Sequence, residues 1–364
     1  MPEDKANDAL RFPDALNDWL GERRIEEVEC VIADTSGVSR GKAMPYAKFT
    51  QTERMFLPQS IFFQTIAGDW VDIEIENQWT EADMVLVPDM STAVASPWAQ
   101  DITIQVIHDA FDHSGEPIEL APRNVLKRVL TVFAKEGWQP VVAPEMEFYL
   151  TKPNTDPNQP IEPPIGRTGR RVAARQAYSV SAVDEYGAVI DDIYDFAEAM
   201  GYGIDTIIQE GGAGQIEINL VHGHPLALAD QVFYFKRMIR EAALRHDCFA
   251  TFMAKPMQDE PGSAMHIHQS LLDADSGRNL FSNDDGSESD LFRHFLGGQQ
   301  AYLPQALCLM APYVNSYRRY TTTAAAPINL EWGSDNRTTG LRIPVSGPEG
   351  RRIENRIGGM DCNP

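Results

Sequence analysis

Residues 143–149 read Ala-Pro-Glu-Met-Glu-Phe-Tyr and lie within an apolar segment, 138–150, that we predict to be a β-strand. Glu145 and Glu147 are two positions apart, so a strand directs both side chains to one face of its sheet. Two carboxylates that share a face repel each other unless a cation neutralises them. The pair therefore indicates either a metal site or a solvated sheet face with two surface glutamates.

Two other short segments carry groups that bind metals. The segment Gln-Glu-Gly-Gly-Ala-Gly-Gln-Ile-Glu contains glycines that allow a tight bend, which would bring Glu210 and Glu217 together. The segment Gly-Ser-Ala-Met-His-Ile-His places His266 and His268 two positions apart on a presumed strand, one as a ligand and the other as a phosphate or substrate donor. A Gly-rich hairpin with exposed acids and a pair of half-buried histidines remain the alternatives.

Together these segments supply carboxylate oxygens and an imidazole, a set that fits Mg²⁺ or Mn²⁺ rather than a structural zinc ion. Several glutamates imply more than one ion. Two or three ions among carboxylates are typical of phosphoryl transfer, because metals bridge phosphate oxygens and neutralise developing charge. The chain has no Walker P-loop, no G-x-G-x-x-G turn after a strand and no G-x-S-x-G elbow, so bound ATP would be held by metals and arginines.

The C-terminal part of the chain is rich in arginine, although the net charge of the whole chain is -22. Guanidinium groups bind phosphate and carboxylate in a bidentate manner, so this density indicates an anionic substrate. Ion pairing with the abundant surface acids remains the simpler explanation for any single arginine. The arginines concerned are Arg318, Arg319, Arg337, Arg342, Arg351, Arg352 and Arg356.

The chain of 364 residues is long enough for two domains and a large buried core. Its charge of -22 disfavours nucleic acid and anionic membrane surfaces as partners. We see no apolar run of about 18 residues and no signal-peptide pattern at the N-terminus. The four cysteines form no C-x-x-C pair, so we expect a reduced, cytoplasmic protein.

The hydrophobic pattern indicates a small, strand-rich first part and a second part that mixes helices and strands. In the first part we predict a helix within 1–20, strands at 26–34, around 61–73 and at 82–88, a loop at 35–45, and no helix between 56 and 105. In the second part we predict helices at 122–136, 188–200, 225–246 and 290–310, and strands at 138–150, 204–209, 215–221 and 248–254.

These segments, in this order, resemble the glutamine synthetase family over nearly the whole chain. Other similar motifs are Lys-Pro-Met, Asn-Ser-Tyr-Arg-Arg, Asn-Arg-Thr-Thr-Gly-Leu-Arg-Ile-Pro and Arg-Arg-Ile-Glu. The resemblance implies an α+β fold, with a small β-grasp domain at 1–112 and a catalytic domain at 113–364 whose curved antiparallel sheet is flanked by helices. It also implies a homo-oligomer of stacked rings and a helical C-terminal tail that this chain lacks, so we expect a truncated catalytic domain.

The resemblance further implies roles for individual residues. One metal ion would be held by Glu147, Glu210 and Glu217, and a second by Glu145, His266 and Glu354. Glutamate would be bound by Gly262, Arg319 and Arg356, and the nucleotide by His268, Ser270, Arg352 and His222. Arg337 and Arg342 would stabilise the transferred phosphoryl group. Asp34 would help to deprotonate the attacking nitrogen, in the active site of a neighbouring subunit.

Several positions depart from the pattern that is usual in the family. Ala325 stands where glutamine synthetases proper carry a glutamate that closes over ammonium, which makes the chain more similar to the γ-glutamylpolyamine branch and leaves room for a carbon chain on the nitrogen. Pro261 replaces a usual asparagine, and Glu349 replaces a phosphate-binding lysine. Acids that would suit the distal ammonium of a diamine are Asp69, Asp72 and Glu74.

From this resemblance we expect an ATP-dependent carbon–nitrogen ligase. It would form a γ-glutamyl amide from glutamate and an amine, such as putrescine, through γ-glutamyl phosphate. Its cofactors would be ATP and two or three Mg²⁺ or Mn²⁺ ions. Glutamine synthesis from ammonium, and a non-catalytic oligomeric role, are the alternatives.

Overall fold

The computed structural model describes residues 11–52, 54–71, 81–320 and 326–364. The fold is α+β and has two compact units, each with its own β-sheet. The first unit comprises Met1–Val129, Asp195–Tyr202 and Asn363–Pro364, and the second comprises Leu130–Tyr194 and Gly203–Cys362. Among the described helices, none has the length and apolar character that crossing a lipid bilayer requires.

The first unit is organised around a mixed sheet with the strand order β2-β1-β6-β4-β3, and β5 also pairs with β6. The β1 and β6 strands are parallel, whereas the other pairs are antiparallel. Alternating apolar residues of β1 and β6 are fully buried, which explains why these two strands lie at the centre of the sheet. The elements are α1 (Asp14–Leu20), β1 (Glu27–Ala33), β2 (Ser39–Pro45), α2 (Tyr46–Phe49), β3 (Met55–Pro58), β4 (Asp83–Pro88), β5 (Val94–Ala95) and β6 (Thr103–Phe111).

Two predictions for this unit were wrong. The predicted loop at 35–45 contains β2, an edge strand that is mostly exposed and therefore lacks an apolar pattern. Glycine and proline are tolerated at such an edge, although they resemble loop signals. The predicted strand around 61–73 begins instead with a 3₁₀ turn at Gln59–Phe63, which follows β3. The strands at 26–34 and 82–88 are confirmed by β1 and β4.

The second unit contains a larger sheet with the strand order β12-β13-β14-β11-β7-β9-β8, and β10 also pairs with β7. All its strand pairs are antiparallel except β12 with β13. The elements from α3, which begins in the first unit, are α3 (Pro122–Lys135), β7 (Trp138–Thr151), α4 (Val180–Val183), α5 (Gly187–Ala199), β8 (Ile204–Gln209), β9 (Gln215–Leu220), α6 (Pro225–Leu244), β10 (Phe249–Thr251), β11 (Met265–Asp273), α7 (Asp290–Met310), α8 (Val314–Tyr317), β12 (Trp332–Ser334), β13 (Leu341–Ile343) and β14 (Ile353–Asn355). The helices and strands predicted for this part are confirmed.

Side chains of the long central strand β7 alternate between an apolar face of the sheet and a polar face. Met146 and Phe148 are fully buried, and α6 packs against β7 and β10. Because side chains alternate along a strand, Glu145 and Glu147 lie on the opposite face. Burial of the apolar face thus fixes which way the two carboxylates point, since a register slip of one residue would bury them against α6.

Candidate active site

The register of the second sheet aligns the candidate ligands across four neighbouring strands. Glu147 on β7 lies opposite Glu217 on β9, and Glu145 lies opposite His266 on β11. His268 lies opposite Glu354 on β14. Antiparallel partners have Cβ atoms about 5 Å apart, so strand pairing alone concentrates these groups on one face.

Glu145 is the centre of this cluster. Its Oε2 atom lies 2.9 Å from His266 Nδ1, and its Oε1 atom lies 2.9 Å from His268 Nε2. Arg352 Nε donates to His268 Nδ1 at 3.2 Å, so His268 carries its proton on Nε2 and donates it to Glu145. The two imidazoles therefore fix the orientation of one carboxylate through both of its oxygens.

Within the described residues, two groups of side chains have ligand atoms within 4.8 Å of one another, namely Glu145 with Glu217 and His266, and Glu145 with His268 and Glu354. Opposite ligands of Mg²⁺ are about 4.2 Å apart, so small side-chain movements would suffice to coordinate an ion. Carboxylate oxygens with one imidazole fit Mg²⁺ or Mn²⁺. The groups differ from the predicted division of ligands, because both contain Glu145 and one contains His268.

Burial and mutual repulsion strongly perturb the other carboxyls. Burial, and then the charge of Glu210, raise the pKa of Glu147 to about 8. Burial, and then the charges of Glu145, Glu147 and Glu210, raise the pKa of Glu217 to about 9. Burial also raises the pKa of Glu210. These glutamates therefore need positive charge beside them in order to be ionised at neutral pH.

Glu145 and Glu354 behave in the opposite way. Burial acts to raise the pKa of Glu145, but the hydrogen bonds that this carboxylate makes with His266 and His268 outweigh burial and lower that pKa. Burial likewise opposes ionisation of Glu354, but the charge of Arg356, with the two histidines, lowers its pKa. These two carboxylates remain charged without a metal ion.

These shifts predict how the stability of the metal-free protein depends on pH. Glu147 and Glu217 ionise near pH 4.5 when unfolded but keep their protons until about pH 8 and 9 when folded. Above pH 7 the unfolded state therefore binds fewer protons than the folded state, and the free energy of unfolding is expected to fall as the pH rises from 7 to 9. Denaturant unfolding in EDTA at pH 7, 8 and 9 measures this decline, and saturating Mn²⁺ should reduce it. Stability that stays level across these pH values would contradict this account of the carboxyls.

Gln215 and Tyr149 are site residues that the sequence reasoning missed. Gln215 Nε2 donates to Glu147 Oε2 at 3.3 Å and to the Gly262 carbonyl at 2.9 Å. Tyr149 Oη donates to the Pro261 carbonyl at 2.7 Å and also lies 3.2 Å from Gln215 Oε1. Both lie inside the quoted motifs, but polar residues whose contacts are only with other parts of the protein give no separate signal in a sequence. They connect a candidate metal ligand to a candidate substrate-binding turn.

The arginines take different positions. Arg342 donates to Glu354 Oε2 at 2.7 Å and to Asp335 Oδ1 at 2.7 Å, and Arg356 donates to Glu354 Oε1. The charge of Arg337 favours ionisation of Glu210, so Arg337 is close enough to act on the carboxylate cluster. Positive charge thus reaches the cluster from two sides, as binding of a phosphate would require.

The buried Arg319 and Gly262 lie against each other. The guanidinium of Arg319 donates to the carbonyls of Ile357 and Arg356 at 2.8 and 2.9 Å. A Cβ atom at Gly262 would come within 2.6 Å of the Ala254 carbonyl, so only glycine fits there. Arg319 therefore stabilises the backbone at Arg356 and Ile357, and its contact with glutamate remains a prediction.

A cavity of about 550 Å³ lies beside Glu145. All four residues that were predicted to contact the nucleotide line it, namely His222, His268, Ser270 and Arg352. Glu349 lines the cavity as well. Its volume lies within the range of about 300–1,000 Å³ that is typical of small-molecule sites. The cavity thus joins the predicted nucleotide contacts to the carboxylate cluster.

Asp34 lies in the first unit and is fully buried. Its Oδ1 atom accepts from the backbone N–H groups of Ser36 and Val38, both at 2.9 Å, and its Oδ2 accepts from Arg40 Nε at 2.8 Å. Its carboxylate therefore stabilises the β1–β2 turn, and its catalytic role remains a prediction. Asp69 lies in another turn of the first unit. Ala325, Asp72 and Glu74 lie outside the described residues.

The chain is similar to several known proteins. Residues 119–364 match the sequence model "Glutamine synthetase, catalytic domain". Gamma-glutamylputrescine synthetase PuuA of Escherichia coli is 34% identical over 341 residues, which cover 93% of this chain and 72% of that protein. Glutamate–isopropylamine ligase of a Pseudomonas species is 30% identical over 361 residues, covering 96% and 77%. A ligand-free structure of GmaS superposes with a TM-score of 0.77 at 27% identity, covering 94% of this chain and 76% of that one.

The fold and the carboxylate cluster, together with these relatives, define an enzyme of the ligase class. The chain belongs to the glutamine synthetase family. The predicted resemblance is thereby confirmed, and glutamate–amine ligases are among the relatives.

Proposed function

We propose that this protein is an ATP-dependent ligase that joins the γ-carboxylate of glutamate to an amine through γ-glutamyl phosphate. The observation that carries the proposal is the position of Glu145, which belongs to both candidate metal groups and also lines the 550 Å³ cavity. A nucleotide in that cavity would have its phosphates beside the carboxylates and arginines. This is the arrangement that phosphoryl transfer needs, since catalysis depends on positioning and on neutralising charge.

In the proposed reaction the γ-carboxylate of glutamate attacks the terminal phosphorus of ATP and ADP leaves. The amine then attacks the acyl carbon and inorganic phosphate leaves. Divalent ions held by the six candidate ligands would neutralise phosphate charge. Arg337 and Arg342 offset the charge that develops on the transferred group, and Asp34 or a nearby acid accepts the proton of the amine. The six ligands are Glu145, Glu147, Glu210, Glu217, His266 and Glu354.

The acceptor is proposed to be an alkyl amine rather than ammonium. Two relatives are named for putrescine and isopropylamine, at 34% and 30% identity. Ala325 supports the same choice, because a neutral methyl side chain cannot hold an ammonium ion by charge and leaves space for carbon atoms. Glutamine synthetases are also relatives, at 31% identity, so ammonium is the acceptor against which the proposal must be tested.

Several further features are proposed with this function. The parallel β1–β6 pair within a mixed sheet supports a β-grasp domain, which we place at 1–112, with the catalytic domain at 113–364. We propose a cytoplasmic homo-oligomer of stacked rings, in which Asp34 serves a neighbouring active site. The net charge of -22 supports small-molecule partners rather than nucleic acid or an anionic membrane.

The test is phosphate release by the purified protein with ATP, Mg²⁺ and glutamate, comparing putrescine, isopropylamine, methylamine and ammonium at equal concentrations. We expect release that requires glutamate and is fastest with one of the alkyl amines, and mass spectrometry should detect the γ-glutamyl amide. Equal or faster turnover with ammonium would reject the amine assignment in favour of glutamine synthesis. No ATP turnover with any acceptor would favour a non-catalytic role.

A further inference from the structure

The bend that carries Glu210 joins β8 to β9 and is held by side chains as well as by its own backbone. Gln209 Nε2 donates to the carbonyls of Glu210 and Gly212, both at 3.0 Å. Gln215 Oε1 accepts from the Gly212 N–H at 2.9 Å, and the Gln215 carbonyl accepts from the Glu210 N–H at 2.9 Å. The bend therefore has a defined shape before any ligand binds.

A separate segment, residues 175–178, completes this set of bonds, and we name it the strap. Arg175 N–H donates to the carbonyl of Gly211 at 2.7 Å, and Tyr178 N–H donates to the carbonyl of Gln209 at 2.8 Å. These carbonyls lie on either side of the glutamate. With them, each backbone carbonyl from 209 to 212 has a hydrogen-bond donor.

The strap makes these two bonds with strained backbone. Arg175 has a φ of 64° and Tyr178 a φ of 63°, in the left-handed region that side chains with a Cβ atom disfavour. They are two of the four non-glycine residues with positive φ in the described part of the chain. Such strain persists where surrounding contacts fix it, and it is concentrated at functional sites.

The bond from each strap residue comes from its backbone, whereas its side chain is exposed to solvent. The bend that carries Glu210 is joined to the carboxylate cluster by a hydrogen bond. Gln215, whose side-chain and backbone oxygens hold the bend, also donates from Nε2 to Glu147 Oε2 at 3.3 Å. A shift of the bend would therefore change the charge arrangement that faces a divalent ion.

We propose that Arg175 and Tyr178 are positioning residues: through their backbone N–H groups, the strap holds Glu210 where it binds a divalent cation. This inference rests on the proposed function, because it requires the carboxylate cluster to be a metal site. The strap would thus affect the affinity for the metal through its backbone alone, without contact between its side chains and the metal.

The test compares two substitutions at one position in the full chain. Arg175→Pro removes the N–H and forbids positive φ, whereas Arg175→Gly keeps the N–H and adopts positive φ without strain. We expect Arg175→Pro to weaken Mn²⁺ binding by roughly tenfold or more, as loss of an outer contact to a metal ligand does, when MnCl₂ is titrated by calorimetry. Arg175→Gly should bind Mn²⁺ as the unaltered protein does. Equal weakening by both substitutions would overturn the role of the backbone.

A second comparison asks whether the strap acts through Glu210. In a Glu210→Gln background, Arg175→Pro should cause no further loss of Mn²⁺ affinity, because the residue that the strap positions is already neutral. A further tenfold loss there would overturn the proposal. If Arg175→Pro does not fold by circular dichroism, Tyr178→Pro against Tyr178→Gly poses the same question at the second N–H.

Mn²⁺ binding by the unaltered protein distinguishes failure of the proposed metal site from failure of the strap proposal alone. If it does not bind Mn²⁺, the metal site and the strap are both overturned. If it binds Mn²⁺ normally and Arg175→Pro binds equally well, the strap alone is overturned and the proposed function stands.

Discussion

Replacement of Glu217 by glutamine is expected to weaken the stabilisation of the protein by Mn²⁺ and to lower the rate of phosphate release by about 10³-fold or more. Glu217 faces Glu147 across β9 and β7 and belongs to one of the candidate metal groups. Glutamine has the same shape but cannot supply a negative charge to a cation. A catalytic metal contributes several kcal/mol to transition-state stabilisation, and about 1.4 kcal/mol corresponds to a factor of ten in rate.

The same substitution is expected to leave the metal-free protein at least as stable at pH 8. Burial and the neighbouring carboxylates hold the pKa of Glu217 near 9, so ionisation of that carboxyl destabilises the folded state. Glutamine cannot ionise, and the substitution therefore causes no such destabilisation. Thermal unfolding with EDTA and with Mn²⁺ measures both effects. Glu162→Gln is the matched control, since Glu162 is a surface residue that pairs with Arg171 at 2.9 Å. An active Glu217→Gln protein would remove this residue from the proposed metal site.

Replacement of Arg342 by methionine is expected to lower kcat by about 10²–10³-fold, the usual cost of losing one group that stabilises transition-state charge. Arg342 is held between Glu354 and Asp335 by two bonds of 2.7 Å, so its charge is fixed beside the candidate metal ligands before substrate binds. Methionine keeps much of the side-chain length and removes the charge. Because charge develops mainly in the transition state, the KM for ATP should change much less than kcat.

The control for this prediction is Arg171→Met, which removes an exposed guanidinium from the same unit and should leave kcat unchanged. Steady-state phosphate release with varied ATP separates kcat from KM. An Arg342→Met protein whose KM rises while kcat is maintained would show that this arginine only binds the nucleotide. Loss of folding, detected by circular dichroism, would instead assign it to the Glu354 ion pair.

The sequence predicted the structure best where a single short-range pattern determines the position of a side chain. Alternation along β7 correctly placed Glu145 and Glu147 on one face, because side-chain direction in a strand depends only on position. Pairing between distant strands left no comparable trace. The bond from His268 to Glu145 depends on the register of β11 against β7, so the sequence alone did not associate His268 with a candidate metal group.

Residues that contact only other residues of the candidate site could not be predicted from the sequence either. Gln215 connects Glu147 to Gly262, but a buried glutamine has no period or spacing that distinguishes it from a surface one. The edge strand β2 was missed for a related reason, since a strand without a buried face has no apolar alternation to detect. The sequence therefore predicted chemical groups and element types better than it predicted the contacts between them.

The central place of β7 also limits how the length of the chain can change during evolution. One strand presents Glu145 and Glu147 to the polar face and Met146 and Phe148 to the apolar face, while it pairs with both β9 and β11. Inserting or deleting a single codon within it would exchange the two faces from that point onward. Point substitutions can accumulate in β7 while its residue count stays constant, and insertions should be found instead in loops such as 152–172.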